Sequence, residues 1–358
     1  MGTAGIRDAP DVRSAGLSVG PSEATAAWTT RGSSGDRSCG APAPGDTTLT
    51  DAFRRVDRNT SWQLTHRLRL TFPTFHPQGI AFSSDHIFLS AVEILEGTVE
   101  YPSLEGGHDR SPGRGTGHLF VMDLAGDLLH DITLGSGARY HPGGIDFDGT
   151  SVWVPVAEYR PNSSAIIYRV DATTLRVHHQ FTVDDHCGAV VMDRQSGHLV
   201  GTTWGSRRFA EWNPQGIQLR SWQNPTFFVD YQDGQYIPDS KALCAGTSGL
   251  PNAPGGRNQA GSYELGGIAL IDLRTQDVLH DVPFQRWSTA GHVATRNPFA
   301  MAVSGDRLTM RVAPDDGDEG NGTEILTYES CVAPGHQAGQ ACRNIGSAQA
   351  DRTSGPHW

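Results

Sequence analysis

From residue 64 onward the chain alternates apolar and polar positions in short runs, the period-two pattern of half-buried strands. The first such run is Leu64-Thr65-His66-Arg67-Leu68-Arg69-Leu70-Thr71-Phe72. Runs at 76–82, 87–93, 119–124 and 128–134 follow, with turns at Ser83-Ser84-Asp85 and Gly126-Asp127, and together they predict a four-stranded antiparallel meander. A second meander covers 141–147, 152–158, 165–170 and 176–183, and its Asp148-Gly149 dipeptide is a strong hairpin signal. A third opens at His186-Cys187-Gly188 and continues through 198–204, 208–212 and 217–222. A fourth opens at Asn224-Pro225, takes Asp233-Gly234 as its turn, and runs through 236–243, 267–273 and 278–284. The fifth opens at Asn297-Pro298 and has runs at 308–312 and 324–328, but no fourth strand.

Meanders repeating every ~40 residues are the pattern of a β-propeller. The fold predicted is all-β and five-bladed, with the unpaired run at 64–72 supplying the last blade's missing strand and closing the ring; a six-bladed ring is the alternative. The propeller is assigned to residues 61–330. Residues 1–60 are rich in Gly, Ala, Ser, Thr, Pro and Asp, which cannot bury enough apolar surface to offset ordering entropy, so disorder is expected there. The same expectation applies to the tail at 331–358.

Composition narrows the class. The 43 glycines and 21 prolines suit many strands and turns rather than long helices. A net charge of −11 argues against nucleic acid as a partner. There is no long apolar run and no apolar leader at the N-terminus, so neither a membrane span nor a signal peptide is expected and the cytoplasm is the default compartment. The five cysteines show no CxxC spacing; Cys331 and Cys342 either pair in the tail or stay free. A monomer acting on a small polar or anionic molecule is expected.

The candidate chemistry comes from the repeat itself. His76-Pro77-Gln78-Gly79-Ile80 and His141-Pro142-Gly143-Gly144-Ile145 open the first two blades, and a glutamate follows each histidine by 17 residues: Glu93 and Glu158. The five openings are His76, His141, His186, Asn224 and Asn297, and the same offset from Asn224 reaches Lys241, the only lysine in the chain. In a meander, blade openings and second-strand ends meet on one face of the ring. Three histidines there are candidate ligands for a divalent metal (Zn, Mn, Fe, Ca or Mg), or they cap their strands. Glu93 and Glu158 are candidate general bases. Lys241 anchors a carboxylate or stabilises developing charge, or forms a structural ion pair with a glutamate. Asn224, Asn297, Arg160 and His108 are candidate substrate-binding residues. The segments 96–117, 246–261 and 314–322 are expected to rise from the same face as lids. The last holds Asp315-Asp316-Gly317-Asp318-Glu319, which reads as a solvated acidic loop or a calcium loop. Trp153 and Trp204 are expected to pack between blades.

The His-Pro-x-Gly-Ile openings resemble an uncharacterised family of bacterial and fungal β-propeller proteins, across residues 62–330, and that resemblance implies no activity. Phe75-His76-Pro77-Gln78-Gly79-Ile80 with Glu93 is also similar in order to plant-type glutaminyl cyclases, which are five-bladed with a catalytic glutamate. The spacing differs and the Glu-Ser-Thr-Gly element is absent, so this likeness implies architecture rather than cyclase activity. Two functions are therefore expected: an enzyme with an axial site doing lyase, hydrolase, cyclase or isomerase chemistry, or a non-catalytic propeller that binds a ligand or partner protein through its loop face.

Overall fold

The computed structural model describes residues 6–8, 48–250 and 263–332. Five antiparallel sheets succeed one another along the chain. Blade one is His76–Phe82, Ile87–Glu96, Arg114–Met122 and Leu128–Leu134, with the short strand Ile6–Asp8 added on its outer edge. Blade two has an inner strand split into His141–Pro142 and Asp146–Phe147, then Ser151–Ala157, Ala165–Asp171 and Val177–Val183. Blade three is Ala189–Asp193, His198–Thr202, Arg208–Trp212 and Gln218–Gln223. Blade four is Asp230–Ile237, Lys241–Leu250, Tyr263–Asp272 and Val278–Pro283. Blade five is Phe299–Ser304, Arg307–Val312 and Glu324–Cys331, completed by Gln63–Arg69 from the N-terminal side. The protein is a five-bladed β-propeller closed by an N-terminal strand, and no sixth blade occurs among the described residues.

The core is not one mass but five apolar seams, one between each pair of adjacent blades. Period-two alternation sends successive residues of a strand to opposite seams. Thus Phe88 and Val121 pack toward blade two, while Leu89 and Phe120 pack toward blade five. Phe88, Phe120, Phe284 and Phe299 are almost completely buried, and each such side chain contributes about 1.5–3 kcal/mol of transfer free energy.

Two expectations need correction. Order begins before residue 60: Thr48 caps the helix Leu49–Phe53, whose Ala52 and Phe53 are fully buried in the seam of blades four and five with Val56 and Trp62. A short apolar face with a good cap escaped a reading based on average composition. The remainder of 1–47 and the tail from 333 lie outside the described residues, although Val332 is buried and Cys331 is disulfide-bonded. The second correction concerns blade four. Asp233-Gly234 is not its hairpin turn but the middle of its inner strand, and the turn falls at Asp239 and Ser240, both at positive φ.

That misplaced dipeptide is the axial pin of the ring. The Asp233 carboxylate is completely buried and accepts four backbone N–H groups: Ile145 (3.0 Å) and Gly234 (2.9 Å) on one oxygen, Ile80 (3.0 Å) and Phe299 (2.9 Å) on the other. Inner strands of blades one, two, four and five are thereby tied to one side chain. Burial pushes its pKa well upward against the opposing effect of those four donors. Glycine is required beside it: a Cβ on Gly144 would lie 2.6 Å from the Asp233 Cα, and one on Gly79 would lie 2.7 Å from the Gly144 Cα.

Candidate functional site

The glycines of the His-Pro-x-Gly openings let inner strands approach the axis, and so bring the histidines that precede them to one mouth of the ring. A Cβ on Gly143 would sit 2.0 Å from the Gly188 carbonyl oxygen, so blades two and three can meet there only through glycine. The result is an axial cavity of about 340 Å3, lined by His76, His141 and His186 on one side and by Asp230, Glu264, Arg296 and Asn297 on the other. Gln78, Tyr159, Thr203, Trp204, Gln232 and Thr247 complete much of the wall. At ~30 Å3 per water, it has room for roughly eleven waters.

Each histidine is held differently. His76 Nδ1 lies 2.6 Å from Asp316 Oδ1. Burial would raise the Asp316 pKa, but the His76 hydrogen bond and the charges of His76, Arg296 and His292 keep it below the usual value. Asp316 is therefore an ionised acceptor, His76 donates from Nδ1, and Nε2 is left for the cavity. His186 Nδ1 is 2.9 Å from the Glu158 carbonyl oxygen, which can only accept, so this ring too has its second nitrogen uncommitted. Burial lowers the His186 pKa. His141 is stacked on Tyr159, with centroids 4.4 Å apart, and its pKa is pushed well down, first by burial and then by proximity to His76 and His186.

Behind the opposite wall a charged network joins blades one, four and five. His292 bridges Glu264 and Glu319 at 3.0 Å each, and its pKa is raised by those carboxylates against burial. Burial would raise the Glu264 pKa, but the bonds from His292 and the Val293 N–H lower it. Arg296 Nη1 reaches the Pro314 carbonyl oxygen at 3.1 Å, and Asp316 and Glu319 at 3.5 Å. In the acidic loop at 315–319, Asp316 and Glu319 are spent on His76, Arg296 and His292, while Asp318 stays exposed. Asp230 is paired with Arg207 at 2.7 Å, and burial raises its pKa.

Of the predicted site residues, His76, His141, His186 and Asn297 line the cavity. Among the described residues, no group of three or more His, Cys, Asp or Glu side chains is arranged to hold a metal ion. The two glutamates are elsewhere. The Glu93 side chain is half-exposed and lies 3.9 Å from His118 Nε2; it is also the residue on which the likeness to glutaminyl cyclases turned. The Glu158 carboxylate is held by Arg160 at 2.6 Å and by Ser164 at 2.8 Å, so Arg160 serves Glu158 rather than the cavity. Lys241 begins the second strand of blade four, at the opposite end of the ring, with Nζ 3.2 Å from the Asp239 carbonyl oxygen. Its placement at the mouth followed from the false turn at Asp233-Gly234. Asn224 is buried in a loop, donating to the Ser206 carbonyl at 2.9 Å, and the fourth opening position belongs to Asp230.

The segment after Glu96 folds as a ribbon, Glu100–Glu105 with His108–Arg110. It reaches toward the neighbouring blades: His108 Nδ1 is 3.4 Å from the Pro161 carbonyl oxygen, and the Arg110 guanidinium sits 5.2 Å from the Trp204 ring. Trp204 is a cavity-wall residue, not a packing residue between blades, whereas Trp153 is buried as expected. Sequence reasoning missed Asp230, Glu264, Arg296, Asp316 and His292. Only Asp316 had a visible signal, as part of the acidic loop; the others follow from the register of blade four and from loops with no repeat.

Three residues that line the cavity carry a buried polar atom with no partner: Asn297 Nδ2, Thr247 Oγ1 and Tyr231 Oη. A buried donor left unpaired costs about 1–3 kcal/mol.

Comparison with known proteins adds the following. The model of DUF6454, a family of unknown function, matches residues 38–334. No curated protein matches the chain. Similar solved structures include the tail fibre of Staphylococcus aureus phage P68, at 10% identity and TM-score 0.43, covering 76% of this chain and 53% of that one. A luciferin-regenerating enzyme is similar at 10% identity and TM-score 0.39, over 72% of this chain and 92% of that one. The calcium-binding protein regucalcin from Agrobacterium tumefaciens strain C58 is similar at 12% identity and TM-score 0.39, over 75% and 93%. The chain spans about half the length of the phage fibre it matches. Each likeness is too distant to speak to activity.

Proposed function

The chain belongs to DUF6454, a family of unknown function, and from its own geometry we propose that the axial cavity is an active site for proton transfer on a small polar molecule, chemistry of the isomerase or lyase class. The observation that carries this reading is the pair His76–Asp316, at 2.6 Å, on the cavity wall. A half-buried carboxylate that fixes the tautomer of an imidazole leaves the other ring nitrogen free to accept a proton, which is how general bases are prepared. His186 and His141, kept neutral by burial, supply further uncharged imidazoles and do not repel a cationic His76 after it takes a proton. Cys187 lines the same cavity, but burial pushes its thiol up to about 12, so a thiolate nucleophile is not part of the proposal.

The test is solvent exchange. A library of small polyols, hydroxy acids and keto acids is incubated with the protein in deuterium oxide and screened by mass spectrometry for deuterium bound to carbon. Wash-in by the wild type that falls by about 10²-fold or more in His76→Gln supports the reading. Wash-in that survives His76→Gln, or binding to the cavity without exchange of any bound compound, overturns it; the second result would leave a non-catalytic binding propeller.

A further inference from the structure

The side-chain groups that line the axial cavity, stay open to it and are unused by the fold are mostly acceptors. His76 and His186 each commit Nδ1, to Asp316 and to the Glu158 carbonyl oxygen, so each keeps a lone pair on Nε2. Gln78 and Gln232 repeat the pattern in amide form. Gln78 Nε2 donates to the Pro77 carbonyl oxygen at 3.2 Å, and Gln232 Nε2 to the Asp230 carbonyl oxygen at 3.3 Å. A carbonyl oxygen only accepts, so both amide orientations are fixed and Oε1 is the end left over. These atoms are open where the orphans of the same wall are sealed. The His76 side chain is 26% exposed and Gln232 is half-buried. His186 Nε2 and Gln78 Oε1 belong to residues 8% and 5% exposed, and neither is among the unpartnered atoms cut off from solvent.

The charges on the wall are matched. Asp230 is paired with Arg207 at 2.7 Å, Glu264 with His292 at 3.0 Å, and Arg296 is shared between Asp316 and Glu319 at 3.5 Å. A charged ligand would lose hydration here without meeting an unmatched countercharge among the described residues. Tyr159, 36% exposed, and Trp204, with ring centroids 5.3 Å apart, add apolar surface beside the acceptors. The molecule that answers neutral acceptors and an aromatic corner is itself neutral, with several hydroxyl groups to donate and carbon to set against the rings.

Resting on the proton-transfer reading above, we infer that the substrate is a small neutral sugar, a polyhydroxy aldehyde or ketone, whose hydroxyls donate to Gln78, Gln232 and His186 while His76 serves the carbon beside the carbonyl. In the open-chain form that carbon carries a proton. His76 Nε2 takes it, the C–H electron pair forms a carbon–carbon double bond, and the carbonyl π pair moves onto oxygen, which takes a proton from water. The His76 proton then returns to the former carbonyl carbon while the neighbouring hydroxyl gives its proton to the hydroxide left behind. Aldose and ketose are interconverted with no other reactant. Gln78 and Gln232 select for hydroxyl groups and do not take part in the proton transfer.

Calorimetry on the full-length protein tests this, with glucose, arabinose, ribose and fructose as probes and gluconate and glucosamine as an anionic and a cationic counterpart of glucose. At least one neutral sugar is expected to bind, and more tightly than either charged compound. Gln78→Met and Gln232→Met keep the length of the side chain and remove the acceptor, and each should weaken the binding sugar by about threefold to tenfold. Thermal melts of the ligand-free variants check that each is folded; Gln232 is the less buried of the two, so its variant decides alone if Gln78→Met does not fold. Failure of every neutral sugar to bind at millimolar concentration overturns the inference. So does tighter binding of gluconate or glucosamine than of any neutral sugar, or sugar affinity unchanged in the folded glutamine variants. The two readings fail separately. Sugars that bind through the glutamines without deuterium wash-in support the hydroxyl-binding site and overturn the proton transfer. Wash-in confined to charged compounds sustains the proton transfer and overturns the neutral sugar.

Discussion

The two ends of the propeller axis treat buried polar groups in opposite ways. Deep on the axis, Asp233 has every lone pair occupied, with four backbone N–H groups from four blades converging on one carboxylate. Below it Asp146 is likewise buried and bonded to backbone N–H groups of Met192 at 3.0 Å and Tyr236 at 3.4 Å. At the mouth above, Asn297 Nδ2 and Thr247 Oγ1 have no partner, and two imidazoles hold one nitrogen each in reserve. Polar groups that only hold a fold together are satisfied within it, because an orphan is costly. Orphaned groups occur elsewhere as well, at His118 Nε2, Trp222 Nε1 and Asp315 Oδ1, and what sets the mouth apart is that its orphans share a cavity with two half-committed imidazoles.

The sharpest way to break this contrast is at its satisfied end. Asp233→Ala strips the acceptor from four buried N–H groups at about 1–3 kcal/mol each. Even the low end of that sum is a large share of a stability of ~5–15 kcal/mol. The variant should be insoluble or lose most of its urea midpoint, and a near-native midpoint would show that the pin is dispensable.

Acid should act next. Burial lowers the His141 pKa in the folded chain. Below the ordinary histidine pKa of about 6.5 the unfolded chain therefore binds a proton that the folded chain refuses. Stability is full above that value and is lost as pH falls through it toward the folded pKa. Between pH 7 and pH 5 this one residue should cost at most about 2 kcal/mol. His141→Phe keeps a ring against Tyr159 and removes the titration, so its urea midpoint should fall less than that of the wild type over the same interval. Parallel decline of the two would mean that His141 does not resist protonation.

The unsatisfied end should be the quieter one. Asn297→Ala removes a side chain with no hydrogen bond to lose, so the ligand-free protein should change by less than about 1 kcal/mol, or gain. Urea titration measures this, and a loss above about 2 kcal/mol would mean that the amide serves the fold. Smallest of all, Lys241→Met should leave both stability and deuterium exchange within error. Among the described residues its polar contacts are with Asp239 in the same turn, 3.2 Å from the carbonyl oxygen and 3.7 Å from the carboxylate, and a pair whose acid is this exposed contributes at most about 1 kcal/mol.

The ring was legible because a propeller writes its architecture into a repeat. Five openings, the His-Pro-x-Gly spacing and the unpaired strand before the first blade were enough for blade number and closure. The histidines were legible for the same reason, since they occupy one repeat position. What failed was a local rule applied at an unusual place. Asp-Gly between apolar runs commonly marks a hairpin, but at 233–234 the aspartate is needed as an axial acceptor, and the glycine stands where a Cβ would come within 3.0 Å of Val191. One wrong turn shifted the register of blade four, carried Lys241 to the wrong end of the ring and hid Asp230. The glutamates misled for another reason. A fixed offset places Glu93 and Glu158 at the ends of second strands, but it does not say which way the side chain leaves the ring. Arg296, Asp316 and His292 lie in loops that differ from blade to blade, so no periodicity could have announced them.

The measurement closest to the central claim compares Asp316→Asn with the wild type, reading carbon-bound deuterium exchange and the urea midpoint on the same preparations. If Asp316 exists to orient and charge-balance His76, exchange should fall by about 10²-fold or more while the midpoint shifts little. A folded variant that exchanges as fast as the wild type, or one whose midpoint collapses, would contradict the account and return the His76–Asp316 pair to the scaffold.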